Sequence, residues 1–230
     1  SNTNVPAGTY TATVTDANGC TATCDYTVTE PTQLVASCIG TAVSCKNGIN
    51  LREQSFGEMF LVVNKITRTL SEGKPFNLVS GGAAWADHLA VFSFILGYPE
   101  KLFLELPCEL TAEGKFIDTG ERDFRTNPGG TSNHYHELFS KKVRFDSFSQ
   151  LRSAAKKPNC IITAGGGFFE RNSSIANKAD HCIALTFGNG PELKDGGTMD
   201  TMKKFQKRAI GKTFHIDLHN MSVHSPAVIK

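Results

Sequence analysis

No stretch of this chain is both long and apolar enough to form a membrane-spanning helix, which excludes an integral helical membrane protein. No charge sign dominates: 24 Lys and Arg stand against 22 Asp and Glu, a formal net charge of +2. The chain therefore exerts no general electrostatic pull on nucleic acid or a lipid surface. No Cys-x-x-Cys pair occurs among the seven cysteines, so zinc and dithiol redox chemistry lack their usual spacing. There is no initiator methionine and no leader pattern at Ser1. The chain reads as a fragment or a processed form, with an upstream export signal left open.

What is present divides into two compositions. In the first quarter, Thr9-Tyr10-Thr11-Ala12-Thr13-Val14-Thr15 alternates with period two and predicts a strand. Asp16-Ala17-Asn18-Gly19 is a turn signal, residues 21–29 predict a second strand, and Pro31 ends it. Cys20, Cys24, Cys38 and Cys45 crowd this region and would be bridged in an exported chain. Cys160 and Cys182 lie in strand-like runs and read as buried free thiols.

The remainder alternates helices and strands. Phe56, Met59, Phe60, Val63, Ile66 and Leu70 have helical spacing, and Gly73 stops that helix. Strands are expected at 76–79, 102–106, 160–163, 182–187 and 213–218. Helices are expected at 84–96, 147–156, 173–178 and 199–209. Alternating βα units imply an α/β domain with a mainly parallel sheet of about five strands and right-handed crossovers. Residues 34–39 are a candidate first strand, so the boundary of the main domain, placed at residue 51, is open between 33 and 50.

Three segments carry the functional expectation. Ser80-Gly81-Gly82-Ala83-Ala84-Trp85-Ala86-Asp87 joins a strand to a helix through two glycines. Glycines allow close approach of backbone N–H groups, and a helix start adds unpaired donors and partial positive charge, so phosphate suits such a bend. Gly81, Gly82 and Ala83 are the candidate contacts, with Asp87 holding the loop or bonding a ligand hydroxyl. Arg171 follows the run Gly165-Gly166-Gly167, and its planar guanidinium suits phosphate or carboxylate. Asn172 is placed to cap the next helix or contact ligand. Gly196, Gly197 and Thr198 form a second N–H nest at a helix start, with Thr201 one turn on.

The polar segment 107–142 is long for a loop and suggests a lid, from which His136, Phe139 and Ser140 would face the ligand. His134-x-His136 with Glu137 lacks a third ligand at diagnostic spacing, so no metal is assigned. Glu170 and Glu137 are the carboxylates to test as catalytic groups. Lys203, Lys204, Lys207, Arg208 and Lys212 read as a solvated helix face rather than a nucleic-acid surface. No cofactor is assigned, and a homo-oligomer is left open.

The three glycine- and Arg-Asn-containing segments resemble the SLOG superfamily of Rossmann-like domains over roughly 51–218. That superfamily includes the DNA-processing protein A family and the lonely-guy cytokinin-activating enzymes. The resemblance implies a doubly wound sheet that binds a phosphorylated nucleotide or nucleotide-derived small molecule, as a binding or sensing domain. An N-glycosidic hydrolase or transferase is the alternative. The lonely-guy Gly-Gly-x-Gly-Thr-x-x-Glu loop is replaced here by Gly196-Gly197-Thr198-Met199-Asp200-Thr201, without its later glycine and glutamate. Residues 1–50 resemble part of the SprB-type repeats of bacterial surface adhesins, through Pro6-Ala7-Gly8-Thr9-Tyr10 and Val43-Ser44-Cys45-Lys46-Asn47-Gly48. A fragment of such an adhesin is a third reading. A chimeric gene model and a true fusion both fit this junction. The main domain is expected in the cytoplasm, and at the cell surface if the fusion is real.

Overall fold

The computed structural model describes residues 8–28, 33–39, 51–194 and 196–226. Two compact units divide at residue 33: Ser1–Thr32 and Gln33–Lys230.

In the first unit, β1 (Gly8–Thr15) pairs antiparallel with β2 (Thr21–Val28). The turn is fixed locally: Asp16 Oδ1 accepts from the backbone N–H of Asn18 at 2.9 Å and of Cys20 at 2.8 Å. Gly19 takes φ +84°, which its missing Cβ permits. The pairing Tyr10↔Tyr26, Ala12↔Cys24 and Val14↔Ala22 gathers the apolar side chains on one face and leaves threonines on the other. Both faces are exposed, so this hairpin has no core of its own among the described residues. Cys20 and Cys24 are free, exposed thiols, and Cys45 lies outside the described residues.

The second unit is mixed α/β. Its sheet has the order β6-β5-β4-β3-β7-β8-β9. The strands are β3 (Gln33–Ile39), β4 (Phe76–Ser80), β5 (Lys101–Leu106), β6 (Cys160–Ala164), β7 (His181–Thr186), β8 (Thr213–Asp217) and β9 (Ser222–His224). All neighbouring pairs are parallel except β8 with β9. Seven strands replace the expected five. The addition of β3, between β4 and β7, moves the start of the unit from residue 51 to Gln33, and β9 returns antiparallel along β8.

The helices are α1 (Glu53–Ser71), α2 (His88–Ile95), α3 (Pro128–Val143), α4 (Ser147–Ala155), α5 (Gly167–Lys178) and α6 (Gly197–Gln206). Neighbouring residues of one strand enter different apolar clusters. Leu78, Ile183 and Leu185 pack with Met59, Phe94, Phe139 and Leu151 of α1 to α4. Val79, Cys182 and Ala184 pack with Ile175, Met202 and Phe205 of α5 and α6. Helices thus cover both faces, which is why β4 and β7 are buried along their whole length without alternation. No helix among the described residues is long and apolar enough to cross a membrane.

Three local differences matter for the site. The turn 84–87 precedes α2, with Trp85 at φ +67°, so that helix starts later than its apolar pattern suggests. Helix α5 starts at Gly167 rather than 173, on the last glycine of the run. Segment 107–142 is not a loose lid, because α3 and the bridge Leu110↔Phe116 order it.

Candidate functional site

The first glycine bend leaves the carboxyl end of β4. Asp87 is buried beneath it and folds its carboxylate back into the bend. Oδ1 accepts from the Gly81 N–H and Oδ2 from the Ala83 N–H, each at 3.3 Å. The Gly82 N–H donates to Ser80 Oγ at 3.2 Å, and Ser80 Oγ donates to the Asp87 carbonyl at 2.9 Å. The bend therefore cradles an anion, but the anion belongs to the chain. Gly81, Gly82 and Ala83 are corrected from phosphate donors to donors engaged internally, and Asp87 is the residue that holds the loop. Burial pushes the Asp87 carboxyl up; the charge of Arg171 and the Gly81, Ala83 and Ser80 hydrogen bonds pull it back down.

Arg171 and Asn172 stand on the buried side of α5 and connect this bend to the second one. A Cβ on Gly81 would come 2.9–3.0 Å from Arg171 Nε, Cδ and Cζ, so the guanidinium lies directly against the Gly81 backbone. Arg171 Nη2 donates to Asn172 Oδ1 at 3.1 Å, and the guanidinium also lies 5.1 Å from the Phe168 ring centroid. Asn172 Nδ2 donates to Asp200 Oδ2 at 3.1 Å and to the Gly197 carbonyl at 3.4 Å. Asn172 is thus no helix cap; it sits inside α5 and ties α5 to the start of α6. The two bends meet through packed side chains, not across an open gap.

At the second bend Gly196 has φ +138° and precedes α6. The Thr201 hydroxyl donates to the Gly197 carbonyl at 2.9 Å, so it serves the helix. Thr198 differs: its residue is 1% exposed, and its Oγ1 has no hydrogen-bond partner among the described residues. Asp195 lies outside the described residues.

The lid expectation fails for its named residues. His136 is fully buried beneath the first bend, with Nε2 2.9 Å from the Gly82 carbonyl and Nδ1 2.9 Å from Ser147 Oγ. A carbonyl can only accept, so the proton sits on Nε2 and Ser147 donates to Nδ1. Ser140 Oγ is 2.8 Å from Ser147 Oγ and belongs to the same network. Phe139 is core. His134 and Glu137 are exposed on α3, and Glu137 stands 3.9 Å from Lys115, outside the lining of the cleft that holds Glu170. That placement removes Glu137 as a catalytic candidate.

His88, also buried, lies 2.8 Å from Gln150 through Nε2 and 5.6 Å ring to ring from His136. Burial holds His136 down to about 4; burial, then the charge of His136, hold His88 down to about 3. Both are neutral at pH 7, whereas the unfolded chain protonates them near 6.5. Their contribution is complete above that value and is lost as pH falls toward 4 and 3, by up to about 1.4 kcal/mol per pH unit for each histidine. Asp87 acts with opposite sign, because protonation relieves a buried charge. Thermal melts from pH 7 to about pH 4.5 are therefore expected to show a falling midpoint and a shallower fall in His88→Phe. Equal slopes would contradict the assignment of neutral buried imidazoles.

An open cleft of about 470 Å³ lies beside these bends, at the carboxyl ends of β5 and β6 and against α5. Arg171 and Glu170 line it, with Glu105, Thr163, Ser174 and Asn177. Of the two candidate catalytic carboxylates, this cleft contains Glu170 alone. Its carboxylate occupies the space beside Gly166 at the start of α5. Glu105 was not anticipated. It is 1% exposed, accepts from Ser174 Oγ and Lys178 Nζ, and so carries a charge compensated within the protein. Its only sequence signal is a carboxylate interrupting an apolar strand, Leu102-Phe103-Leu104-Glu105-Leu106. Two of the five cations in and after α6 are committed: Lys204 bonds Asp200 and the Phe169 carbonyl, and Arg208 bonds the Ala176 and Ala179 carbonyls at the end of α5, while Lys207 and Lys212 are exposed.

No family model matches this chain. Over 129 residues it is 40% identical to an uncharacterized protein of Acanthamoeba polyphaga mimivirus, a match covering 56% of this chain and 65% of that protein. The chain thus spans just under two thirds of the length of that relative.

Proposed function

We propose that the second unit is a Rossmann-like, doubly wound domain that binds a phosphorylated nucleotide or nucleotide-derived small molecule, as a ligand-binding or sensing module. The phosphate would rest at the start of α6. The observation that carries this reading is the Thr198 hydroxyl, buried without a partner among the described residues beside a glycine-led helix start. A buried hydroxyl left unpaired costs about 1–3 kcal/mol, which an anion accepting its proton would recover. The strand order supports the same place. The chain runs from β3 outward to β6, then crosses to β7 on the other side of β3. In open α/β sheets ligands bind outside the carboxyl ends at such a reversal. Arg171, adjoining both the first bend and the cleft, supplies the positive charge. The resemblance to the SLOG superfamily rests on these same segments.

Thermal denaturation with AMP, ADP-ribose, NAD and a cytokinin monophosphate tests this. A ligand at 100 times its Kd is expected to stabilise by about 2.7 kcal/mol. Thr198→Val is expected to leave the free protein unchanged or slightly stabler, since no internal hydrogen bond is lost, while weakening binding about tenfold. Stabilisation by none of the four removes the proposal. A second reading, hydrolysis or transfer at an N-glycosidic bond, draws on Glu170 beside Arg171 in the cleft. It requires release of free base from a nucleoside monophosphate, lost in Glu170→Gln. The adhesin reading concerns the first unit alone, where an exposed Tyr- and Thr-bearing hairpin is what such a fragment would contribute.

A further inference from the structure

We infer that the outer edge of β6 pairs antiparallel with the same edge of a second copy of this chain. β6 ends the sheet, and among the described residues no strand meets its far side. The backbone phase shows which groups are left over. The Leu102 N–H donates to the Asn159 carbonyl and the Gly165 N–H to the Leu106 carbonyl, each at 3.1 Å. Alternate residues of a parallel strand face the same neighbour, so 159, 161, 163 and 165 face β5. The N–H and C=O groups of Ile162 and Ala164 therefore point outward, together with the Cys160 carbonyl; the Cys160 N–H is held by the Lys157 carbonyl at 3.0 Å. Such an edge is a pairing template unless a charge, a proline, a bulge or shortness blunts it. The opposite edge is blunted, because β9 has three residues and Pro226 follows it. β6, Cys160-Ile161-Ile162-Thr163-Ala164, carries neither charge nor proline.

Both faces of the strand add apolar surface. Ile161 pairs with Phe103 on the side of α5 and α6, Ile162 with Leu104 on the side of α1 to α4, and each isoleucine is 39% exposed. Symmetry and charge select a second copy as the occupant. Antiparallel pairing about a two-fold axis at Ile162 sets each Ile162 beside its counterpart and each Ala164 beside the other copy's Cys160. The outward donors of one strand then meet the outward acceptors of the other, and the contact closes at two copies. The two ends of the edge differ in charge. At the amino end the exposed Lys101 and Lys156 outnumber Glu100, and at the carboxyl end Glu170 is exposed. An antiparallel pair joins the cationic end to the acidic one, whereas a parallel pair sets like charges together. Area sets the strength. Five residues at about 3.3 Å each make an edge about 17 Å long, too small alone to supply the roughly 800 Å² per partner of a tight dimer. The pair is therefore weak and reversible, with a dissociation constant of about 10 μM or more.

Sedimentation equilibrium of the full chain from about 1 to 500 μM tests this, under reducing conditions that keep the exposed Cys20 and Cys24 from bridging. A reversible monomer–dimer equilibrium is expected. Ile162→Lys sets like charges opposite each other and should weaken the dimer at least about tenfold. Ile162→Pro removes an outward donor, leaves the ladder to β5 intact, and should do the same. Val223→Lys, at an exposed position on β9, should leave association unchanged. Thermal melts identify a variant that fails to fold, in which case the other Ile162 variant decides. A monomer at every concentration, a dimer that survives in a folded Ile162 variant, or association that continues past two copies overturns the proposal.

Discussion

Asp87→Ala is expected to lower the stability of the second unit by about 3–5 kcal/mol, roughly 6–20 °C in melting temperature for a domain of this size. The substitution strands the Gly81 and Ala83 N–H groups in a bend with almost no access to water. Each buried donor so abandoned costs about 1–3 kcal/mol, and Arg171 loses a nearby opposite charge. Asp87→Asn keeps one acceptor oxygen and is expected to lose about half as much. The expectation separates two roles. If Asp87 holds the bend, the free protein melts early. If Asp87 instead serves a ligand hydroxyl, the free protein keeps its midpoint and only ligand stabilisation falls. A shift below about 1 kcal/mol in the alanine variant would refute the holding role.

The bend illustrates what a sequence displays and what it hides. Two glycines between an apolar run and a helical pattern announce a tight turn, and Gly82 indeed needs φ +66°. Whether its N–H groups face a ligand or a neighbouring carboxylate is set by side-chain direction, which spacing does not encode. Strands β4, β5 and β7 were legible from short apolar runs, Leu78-Val79, Leu102-Phe103-Leu104 and Cys182-Ile183-Ala184-Leu185, whereas β6 is largely exposed and showed only through Ile161-Ile162. Helix α5 was misread at its start, since Gly165-Gly166-Gly167-Phe168-Phe169 has low helix propensity and no Ser, Thr or Asp cap. Helix α3 did carry a signal: Asn127 accepts from the Gly130 N–H at 2.9 Å, with Pro128 at the first helical position. The two glycines that follow masked it. Glu105 stands out locally as a carboxylate in an apolar strand, but its role was beyond local reading, because its partner Lys178 lies 73 residues away in sequence.

Arg171→Met should produce the second large effect, and its pH dependence identifies the cause. The side chain is 5% exposed and its charge acts on the fully buried carboxylate of Asp87. Methionine preserves much of the packing against Gly81 and Phe168 but leaves that carboxylate without the opposing charge. Breaking such a buried charge pairing from one side costs about 3–5 kcal/mol. The sign follows from protonation. Burial already raises the Asp87 carboxyl, and loss of the guanidinium raises it further. The charged form then weighs against the folded state at neutral pH, and the penalty shrinks as pH falls through the raised value and the folded protein takes up a proton. Asp87→Asn removes the ionisable group, so the double variant Asp87→Asn with Arg171→Met should be stabler than the two single losses add up to, by about 1–3 kcal/mol. In the same series, binding of inorganic phosphate should weaken about 100-fold in Arg171→Met, from the loss of a charge-assisted contact. Additive losses with no pH dependence would mean that Arg171 acts through packing alone, and unchanged phosphate affinity would separate it from the proposed site.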